Sequence, residues 1–276
     1  MMNKKPVLLV PTDFSPVGDS AVAYATQLSK ILNARVELMH VVGNTKDAGI
    51  AKSALASQVA TLEKDNIEAG GIVEIGNIFD DIGKVAERLD AKLIVMGTHG
   101  VKGMQHVLGS KALKVITNSN VPFIVVQRKP MKTEGFKNII IPVDFNQEVK
   151  LSIKYAWEIG KYFHSKIHII YVKEKDPFIA AKIERNIPYA KDLLEESGVA
   201  YEIKGIEKKD FDKEFIKMGQ SLDADLITII NNHENIFTYF GGSFEQTIIA
   251  NNAEIPVLVI NHIASNTAYS FSTYFH

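Results

Sequence analysis

Short, uninterrupted apolar runs alternate along this chain with longer stretches in which apolar residues recur every three or four positions. The runs are typical of strands in a parallel sheet that helices cover on both faces. The recurring spacing, seen in residues 21–32 and 78–90, is typical of helices with one buried face. Strands alternating with helices predict a doubly wound α/β sheet. The strands predicted for the first half are VLLV, VELMHVV, IVEI, LIVM and FIVV.

The same succession of segments occurs twice. Residues 7–42 align with residues 139–173, so that Asp13 falls on Asp144. Further along, GSKALKVITN aligns with GSFEQTIIAN, and VPFIVV aligns with IPVLVI. Similarity that keeps its order over the whole chain indicates a tandem duplication. We predict a first domain over 1–130, a linker over 131–136, a second domain over 137–263 and a C-terminal tail over 264–276.

Three segments at or just beyond the carboxyl ends of predicted strands are candidates for a ligand site. They are Asp13, Val41 and the loop 97–110, GTHGVKGMQHVLGS. We expect them to be neighbours, because doubly wound sheets bind ligands beyond the carboxyl ends of strands, where the strand order reverses. Glycines let a backbone come close to a ligand, and the start of the helix after the loop is suited to anions. The loop is interpreted as a phosphate loop, and the alternative is a tight turn without a ligand.

Several of these segments together resemble the universal stress protein (UspA-type) family. They are PTDFS after the first strand, HVV ending the second, MGTHG after the fourth, and GS opening the next helix. The resemblance covers nearly the whole chain, twice. The family's signature is G-x2-G-x9-G-[S/T], whereas eight residues separate Gly100 from Gly109 here. The resemblance implies two Rossmann-like domains of the adenine-nucleotide-binding type, packed as an intrachain pseudo-dimer through their last strands. It also implies that tandem chains form homodimers.

The resemblance further implies a site for ATP, or for AMP or ADP, in the first domain, with Mg²⁺ as a candidate companion of the phosphates. Pro11, Thr12 and Asp13 would lie near the adenosine, and Val41 would flank the adenine through its backbone. The residues implied for the ribose and the phosphates are Gly97, His99, Gly100, Gly109, Ser110 and Lys111. Lys102 would add a positive charge at the loop.

The second half departs from this pattern. Aligned without a gap, Ile230 replaces Gly97, His233 replaces Gly100, and Glu234 replaces Val101. Only the glycine and serine of the helix start remain, as Gly242 and Ser243. Side chains in place of glycines restrict the backbone and the approach of a phosphate. We therefore expect the second domain to have lost the triphosphate site.

Some candidate residues also have structural explanations. Asp13 is suited to capping the helix that begins near Pro16, and Asp144 is interpreted mainly as such a cap. His40, His99 and His106 could converge at the carboxyl edge of the sheet as zinc ligands, but no pair has helical i, i+4 spacing with a glutamate, so we interpret them as structural histidines and expect no metal.

The chain has no P-loop and no nucleophile elbow. With one nearby acid and few cations, we expect any ATP hydrolysis to be slow or absent.

Composition narrows the class of protein. The 276 residues are 46% apolar and 23% charged, with a net charge of −1 and no cysteine. A near-neutral balance argues against nucleic-acid or membrane-surface binding, and no stretch approaches the ~20 apolar residues of a membrane span. We expect a cytoplasmic location.

The leading hypothesis is a nucleotide-responsive stress protein with an unidentified protein partner. The alternatives are a slow hydrolase or phosphotransferase and a nucleotide-free dimerisation module.

Overall fold

The computed structural model describes residues 5–98, 108–144, 146–231 and 244–261, and only the backbone of residues 108–111. Ten strands and eight helices alternate over this part of the chain. The first half contains β1 (Val7–Pro11), α1 (Pro16–Leu32), β2 (Arg35–Val42), α2 (Ala48–Lys64), β3 (Ala69–Ile75), α3 (Ile78–Arg88), β4 (Ala91–Gly97), α4 (Leu108–Thr117) and β5 (Phe123–Val126). The second half contains β6 (Asn138–Val143), α5 (Val149–Phe163), β7 (Lys166–Lys173), α6 (Pro177–Ser197), β8 (Tyr201–Glu207), α7 (Phe211–Ser221), β9 (Leu226–Asn231), α8 (Phe244–Ile249) and β10 (Val257–Asn261). The strands predicted for the first half are confirmed.

All ten of these strands form one sheet, in the order β3-β2-β1-β4-β5-β10-β9-β6-β7-β8. Within each half the pairing is parallel, and the strand order reverses at the first strand of the half. The two halves join where β5 and β10 pair antiparallel, with Leu258 opposite Ile124. Each last strand would otherwise present an unpaired edge, and this pairing removes both edges. The predicted pseudo-dimer of two doubly wound domains is confirmed.

Helices cover both faces of the sheet and create two apolar cores that each run through both halves. On one face, α1 and α5 pack over the sheet, and the core includes Leu28 of α1 and Ile159 of α5. On the other face, Ile116 of α4 and Ile248 of α8 belong to one cluster. Because each core continues through both halves, burying its apolar area stabilises the two halves together as one folded unit.

The segment between the two halves is packed rather than extended. Met131 and Phe136 are both buried, and Gln27 of α1 donates a hydrogen bond to the Lys132 carbonyl. The Lys132 ammonium lies 2.7 Å from a carboxylate oxygen of Asp225, just before β9. The linker therefore connects an α1 side chain to the second half. The predicted domain boundaries themselves stay a prediction.

Two amide side chains fasten the halves at the ends of the antiparallel strand pair. Gln127, directly after β5, donates to the Asn251 carbonyl beyond α8 at 2.7 Å. Asn261, the aligned residue at the end of β10, donates to the carbonyls of Ile116 and Ser119 at the end of α4. All five residues are buried. Buried carbonyls at helix ends need such donors, so the two amides tie each last strand to a helix of the other half.

Candidate functional site

A cavity of about 250 Å³ opens at the carboxyl edge of the first half, at the ends of β1, β2 and β4. This is where the strand order reverses, because β1 pairs with β2 on one side and with β4 on the other. The side chains that form its largely apolar wall include Met39, Met96, Ile82 and Val115. A mostly apolar cavity with a few polar groups at its rim is the usual form of a small-molecule site.

The structure brings together five of the residues that the sequence analysis placed at a ligand site. The cavity is lined by Pro11, Thr12, Asp13, Val41 and Gly97. Gly109, Ser110 and Lys111 lie in the first turn of α4, and their side chains are outside the described part of the chain. His99, Gly100 and Lys102 lie outside the described residues altogether. Their roles therefore stay a prediction.

The turn after β1 presents Asp13 to the cavity. Asp13 is exposed, and its Oδ1 accepts hydrogen bonds from both the backbone N–H and the hydroxyl of Ser15. The N-cap of α1 is Ser15, whose Oγ accepts the N–H of Gly18. The interpretation of Asp13 as the helix cap is therefore wrong. Asp13 accepts hydrogen bonds from the cap residue, Ser15, and it lines the cavity.

Gly97, the last residue of β4, is required by close packing. A Cβ atom at this position would lie 2.4 Å from the Val17 carbonyl oxygen and 2.7 Å from a Val17 methyl group. Real Cβ atoms do not approach backbone oxygen so closely, so only glycine allows the first turn of α1 to lie against the end of β4. This contact sets one wall of the cavity.

Several residues that line the cavity were not assigned to the nucleotide site from the sequence. Those with polar side chains are Ser15, His40 and Thr98; those with apolar side chains are Val17, Met39, Ile78, Ile82, Met96 and Val115; Gly18 and Ala112 complete the set. The strand-end position of His40 and Thr98 was a usable signal. The residues from α3 and α4 gave none, because which helix face meets the cavity depends on packing across the sheet.

Two positions of the second half carry larger side chains than their counterparts at the first-half cavity. Ile230, aligned with Gly97, packs against the core on the α1 and α5 face. The larger side chain fits because α5 begins at Val149, the position aligned with Gly18 of α1. The second half therefore has no helical residue at the position aligned with Val17, which contacts Gly97 in the first half. Glu245 of α8 is aligned with Ala112 and is half-buried. Glu245 therefore stands where the first half has a small side chain on the cavity wall, whereas Ile230 replaces a glycine that packs against Val17.

Asp144 differs from its counterpart Asp13 in its exposure to solvent. Asp144 is buried, and its carboxylate accepts hydrogen bonds from the backbone and the side chain of Asn146. The side chain of Asn186 in α6 donates a hydrogen bond to the backbone carbonyl of Asp144. The helix that follows begins only at Val149, so the prediction that Asp144 caps this helix is wrong. Burial raises the pKa of Asp144 to about 6, although the hydrogen bonds from Asn146 lower it. Burial also raises the pKa of Glu245, and the charge of Asp144 raises it further.

Asp144→Asn is expected to change how the stability of the protein depends on pH. A carboxyl whose pKa is higher in the folded state binds a proton on folding, so the wild type loses stability as pH rises from about 4 to about 6. The difference from the usual 3.8 corresponds to about 3 kcal/mol. The free energy of unfolding of the variant, relative to wild type, should therefore rise by about that amount between pH 4 and pH 7.

The measurement is urea unfolding at several pH values, followed by the fluorescence of Trp157 in α5, the only tryptophan of the chain. Asp192→Asn, an exposed change on α6, is the matched control and should leave the pH dependence unaltered. Parallel pH profiles for wild type and Asp144→Asn would contradict the assignment of a raised pKa to Asp144.

The described residues contain no group of three or more histidine, aspartate, glutamate or cysteine side chains arranged to hold a metal ion. His40 is engaged with a backbone carbonyl, and His99 and His106 lie outside the described residues. No helix within the same part of the chain is both long and apolar enough to cross a membrane.

The fold and the cavity define a tandem α/β protein with a ligand-type cavity in its first half. The chain belongs to the universal stress protein family, whose sequence model matches residues 6–127. It is 31% identical over 142 residues to a universal stress protein of Methanocaldococcus jannaschii, covering 45% of this chain and 83% of that protein. A second universal stress protein of the same organism is 27% identical over 160 residues, covering 47% of this chain and 98% of the relative.

The whole tandem fold also has a counterpart among solved structures. A universal stress protein from Archaeoglobus fulgidus aligns with 93% of this chain and 98% of its own length, with a TM-score of 0.75 and 19% identity. At that identity the likeness concerns the fold. The matching range of the family's sequence model, residues 6–127, is the half that contains the cavity.

Proposed function

We propose that the first half binds ATP or a related adenine nucleotide, AMP or ADP, and that the chain acts as a nucleotide-responsive stress protein without a dedicated reaction. The observation that carries the proposal is the cavity at the strand reversal of the first half, between the Thr12–Ser15 turn and α4. In the second half, Ile230 and Glu245 stand at the aligned positions of Gly97 and Ala112.

The chemistry of the cavity matches the parts of a nucleotide. Its apolar wall, which includes Met39, Met96 and Ile82, suits the faces of a purine ring. Asp13 and Ser15 at the rim are suited to ribose hydroxyls, because a carboxylate accepts hydrogen bonds and a hydroxyl both donates and accepts. The start of α4 supplies backbone N–H groups and the positive end of a helix dipole for phosphates. Mg²⁺ would accompany the phosphates rather than occupy a site of its own.

Binding would act by stabilising one conformation or assembly of the protein, in proportion to the difference in affinity between the states. Because α4 is tied at its far end to Asn261 of the second half, a ligand at its first turn contacts an element that both halves share. Homodimers of tandem chains in the cytoplasm, and recognition of an unidentified protein partner, belong to the same proposal.

Calorimetric titration of nucleotide-stripped protein with Mg-ATP is expected to show one site per chain. Ser110→Ala should weaken the binding about fivefold, which corresponds to the loss of a hydrogen bond of about 1 kcal/mol. Ser243→Ala, the matched change in the second half, should leave the affinity unchanged. Two sites per chain would show that the second half binds despite Ile230 and Glu245. Absence of binding would remove the nucleotide proposal and favour a dimerisation module.

A turnover assay separates this proposal from a hydrolase or phosphotransferase. We expect no phosphate release above the buffer rate when the protein is saturated with Mg-ATP. Turnover that disappears in Asp13→Ala while binding is retained would establish an enzyme instead, with Asp13 in a chemical role.

A further inference from the structure

The turn that carries Asp13 has an uncommon backbone conformation. Phe14 has a φ of +59°, in the left-handed region that bulky side chains rarely adopt. Within the turn, the Phe14 N–H donates to Thr12 Oγ1 at 3.1 Å, and Asp13 Oδ1 accepts the Ser15 N–H at 3.0 Å. A short segment in such a conformation needs support from outside itself.

His40 of β2 provides that support from the neighbouring strand. Its Nδ1 lies 2.7 Å from the Thr12 carbonyl oxygen, and its ring centroid lies 4.5 Å from that of Phe14, with the planes inclined by 32°. A carbonyl only accepts hydrogen bonds, so Nδ1 carries the proton and donates it. His40 thus holds the residue before Asp13 by a hydrogen bond and the residue after it by a ring contact. It lines the same cavity as Asp13.

The second half supplies an internal comparison, because the duplication places Tyr171 where the first half has His40. Tyr171 packs towards the edge strand: a Cβ placed on Gly205 of β8 would lie 2.7 Å from the Tyr171 Cζ atom. In this half the aspartate after the first strand, Asp144, is buried and is held by Asn146. The half with histidine presents its aspartate at the surface of a cavity, and the half with tyrosine buries it.

We propose that His40 is a positioning residue of the first-half site. Its Nδ1–H and its ring hold the Thr12–Ser15 turn so that the Asp13 carboxylate faces the cavity, where a nucleoside hydroxyl would meet it. The inference deepens the proposed function and rests on it for the identity of the ligand. The position of Asp13 itself is a property of the protein without ligand and is tested separately.

A set of His40 variants tests the positioning role through Mg-ATP affinity. His40→Asn places an amide N–H near the position of Nδ1, whereas His40→Gln carries the same amide one methylene further and His40→Phe keeps only the ring. We expect about tenfold weaker binding for the phenylalanine and glutamine variants, and affinity within threefold of wild type for asparagine. Equal affinities for the asparagine and glutamine variants would overturn the proposal. The asparagine and glutamine pair remains informative if His40→Phe does not fold.

A double variant distinguishes positioning of Asp13 from an independent contact with the ligand. Asp13→Asn alone should weaken binding about tenfold. If His40 acts through Asp13, adding His40→Gln to Asp13→Asn should weaken binding by no more than threefold further. A product of the two single effects, about 100-fold in total, would overturn the positioning role.

A ligand-free measurement keeps this inference separate from the nucleotide proposal. By NMR, neutral His40 should carry its proton on Nδ1, and the Ser15 amide should exchange with solvent about tenfold faster in His40→Gln than in wild type or His40→Asn. A proton on Nε2, or unchanged Ser15 exchange, would overturn the positioning role. If wild type binds no adenine nucleotide, the proposed function fails, and the NMR result still decides whether His40 positions Asp13.

Discussion

Ala112→Glu is expected to weaken Mg-ATP binding by at least 100-fold while the protein stays folded. Ala112 lines the cavity from α4, and its counterpart in the second half is Glu245. The new carboxylate would share the cavity with Asp13 and with the phosphates. Two like charges about 6 Å apart repel by roughly 3 kcal/mol at an effective dielectric constant of about 20, which is a factor of about 100 in affinity. The measurement is calorimetric titration, with thermal unfolding to verify the fold.

Two controls separate charge from size in this experiment. Ala112→Gln adds a side chain of the same length without charge, and we expect a smaller loss, of about tenfold. Glu245→Gln makes the matched change in the second half, and it should leave the affinity for ATP unchanged. If the Ala112→Glu protein binds ATP within threefold of wild type, the nucleotide does not occupy this cavity.

Lys132→Met is expected to lower the free energy of unfolding by about 2–3 kcal/mol. The Asp225 carboxylate is only 7% exposed, and it accepts the backbone N–H groups of Lys137 and Asn138 at 2.8 Å. Its cationic partner is Lys132, at 2.7 Å. Removing one partner of a fully buried ion pair costs about 3–5 kcal/mol. Because the two backbone hydrogen bonds remain and the lysine is partly exposed, we expect the lower end of that range or slightly less.

The stability of this variant is measured by urea unfolding, again through Trp157 fluorescence. Lys129→Met is the matched control: Lys129 lies 4.0 Å from the exposed Asp223, and such a pair contributes about 0–1 kcal/mol. Adding Asp225→Asn to Lys132→Met should recover part of the loss, because it removes the charge that was left without its cation. If Lys132→Met is as stable as wild type, the packed linker does not hold the two halves together through this ion pair.

Much of the fold could be predicted because the relevant signals are local. The apolar runs and the helical spacing identified the strands, and β1 to β5 occur where the sequence analysis placed them. The duplication identified the two halves, and with the family resemblance it predicted that their last strands pair. Strand ends also identified Asp13, Val41 and Gly97 as neighbours, because parallel strands bring their carboxyl ends to one edge of the sheet.

The two aspartates show where local sequence stops being informative. The segments PTDFS and PVDFN differ little, yet Asp13 is exposed at a cavity and Asp144 is buried with a raised pKa. Asp13 and Ser15 are both favoured cap residues, and the left-handed backbone at Phe14 decides that Ser15 caps the helix. The environment of Asp144 depends on Asn186, about 40 positions further along the chain, and on Glu245, about 100 positions away.

The sequence by itself determined the succession of strands and helices, the duplication, and the edge of the sheet at which a ligand site would lie. Periodicity and repetition are properties of neighbouring residues, so they are visible without a structure. Only the tertiary structure decided that a cavity lies at this edge of the first half, that α3 and α4 line it, and that His40 supports the turn of Asp13. Those outcomes depend on burial and on hydrogen bonds between distant segments, because the charge and exposure of a side chain are set by what packs against it.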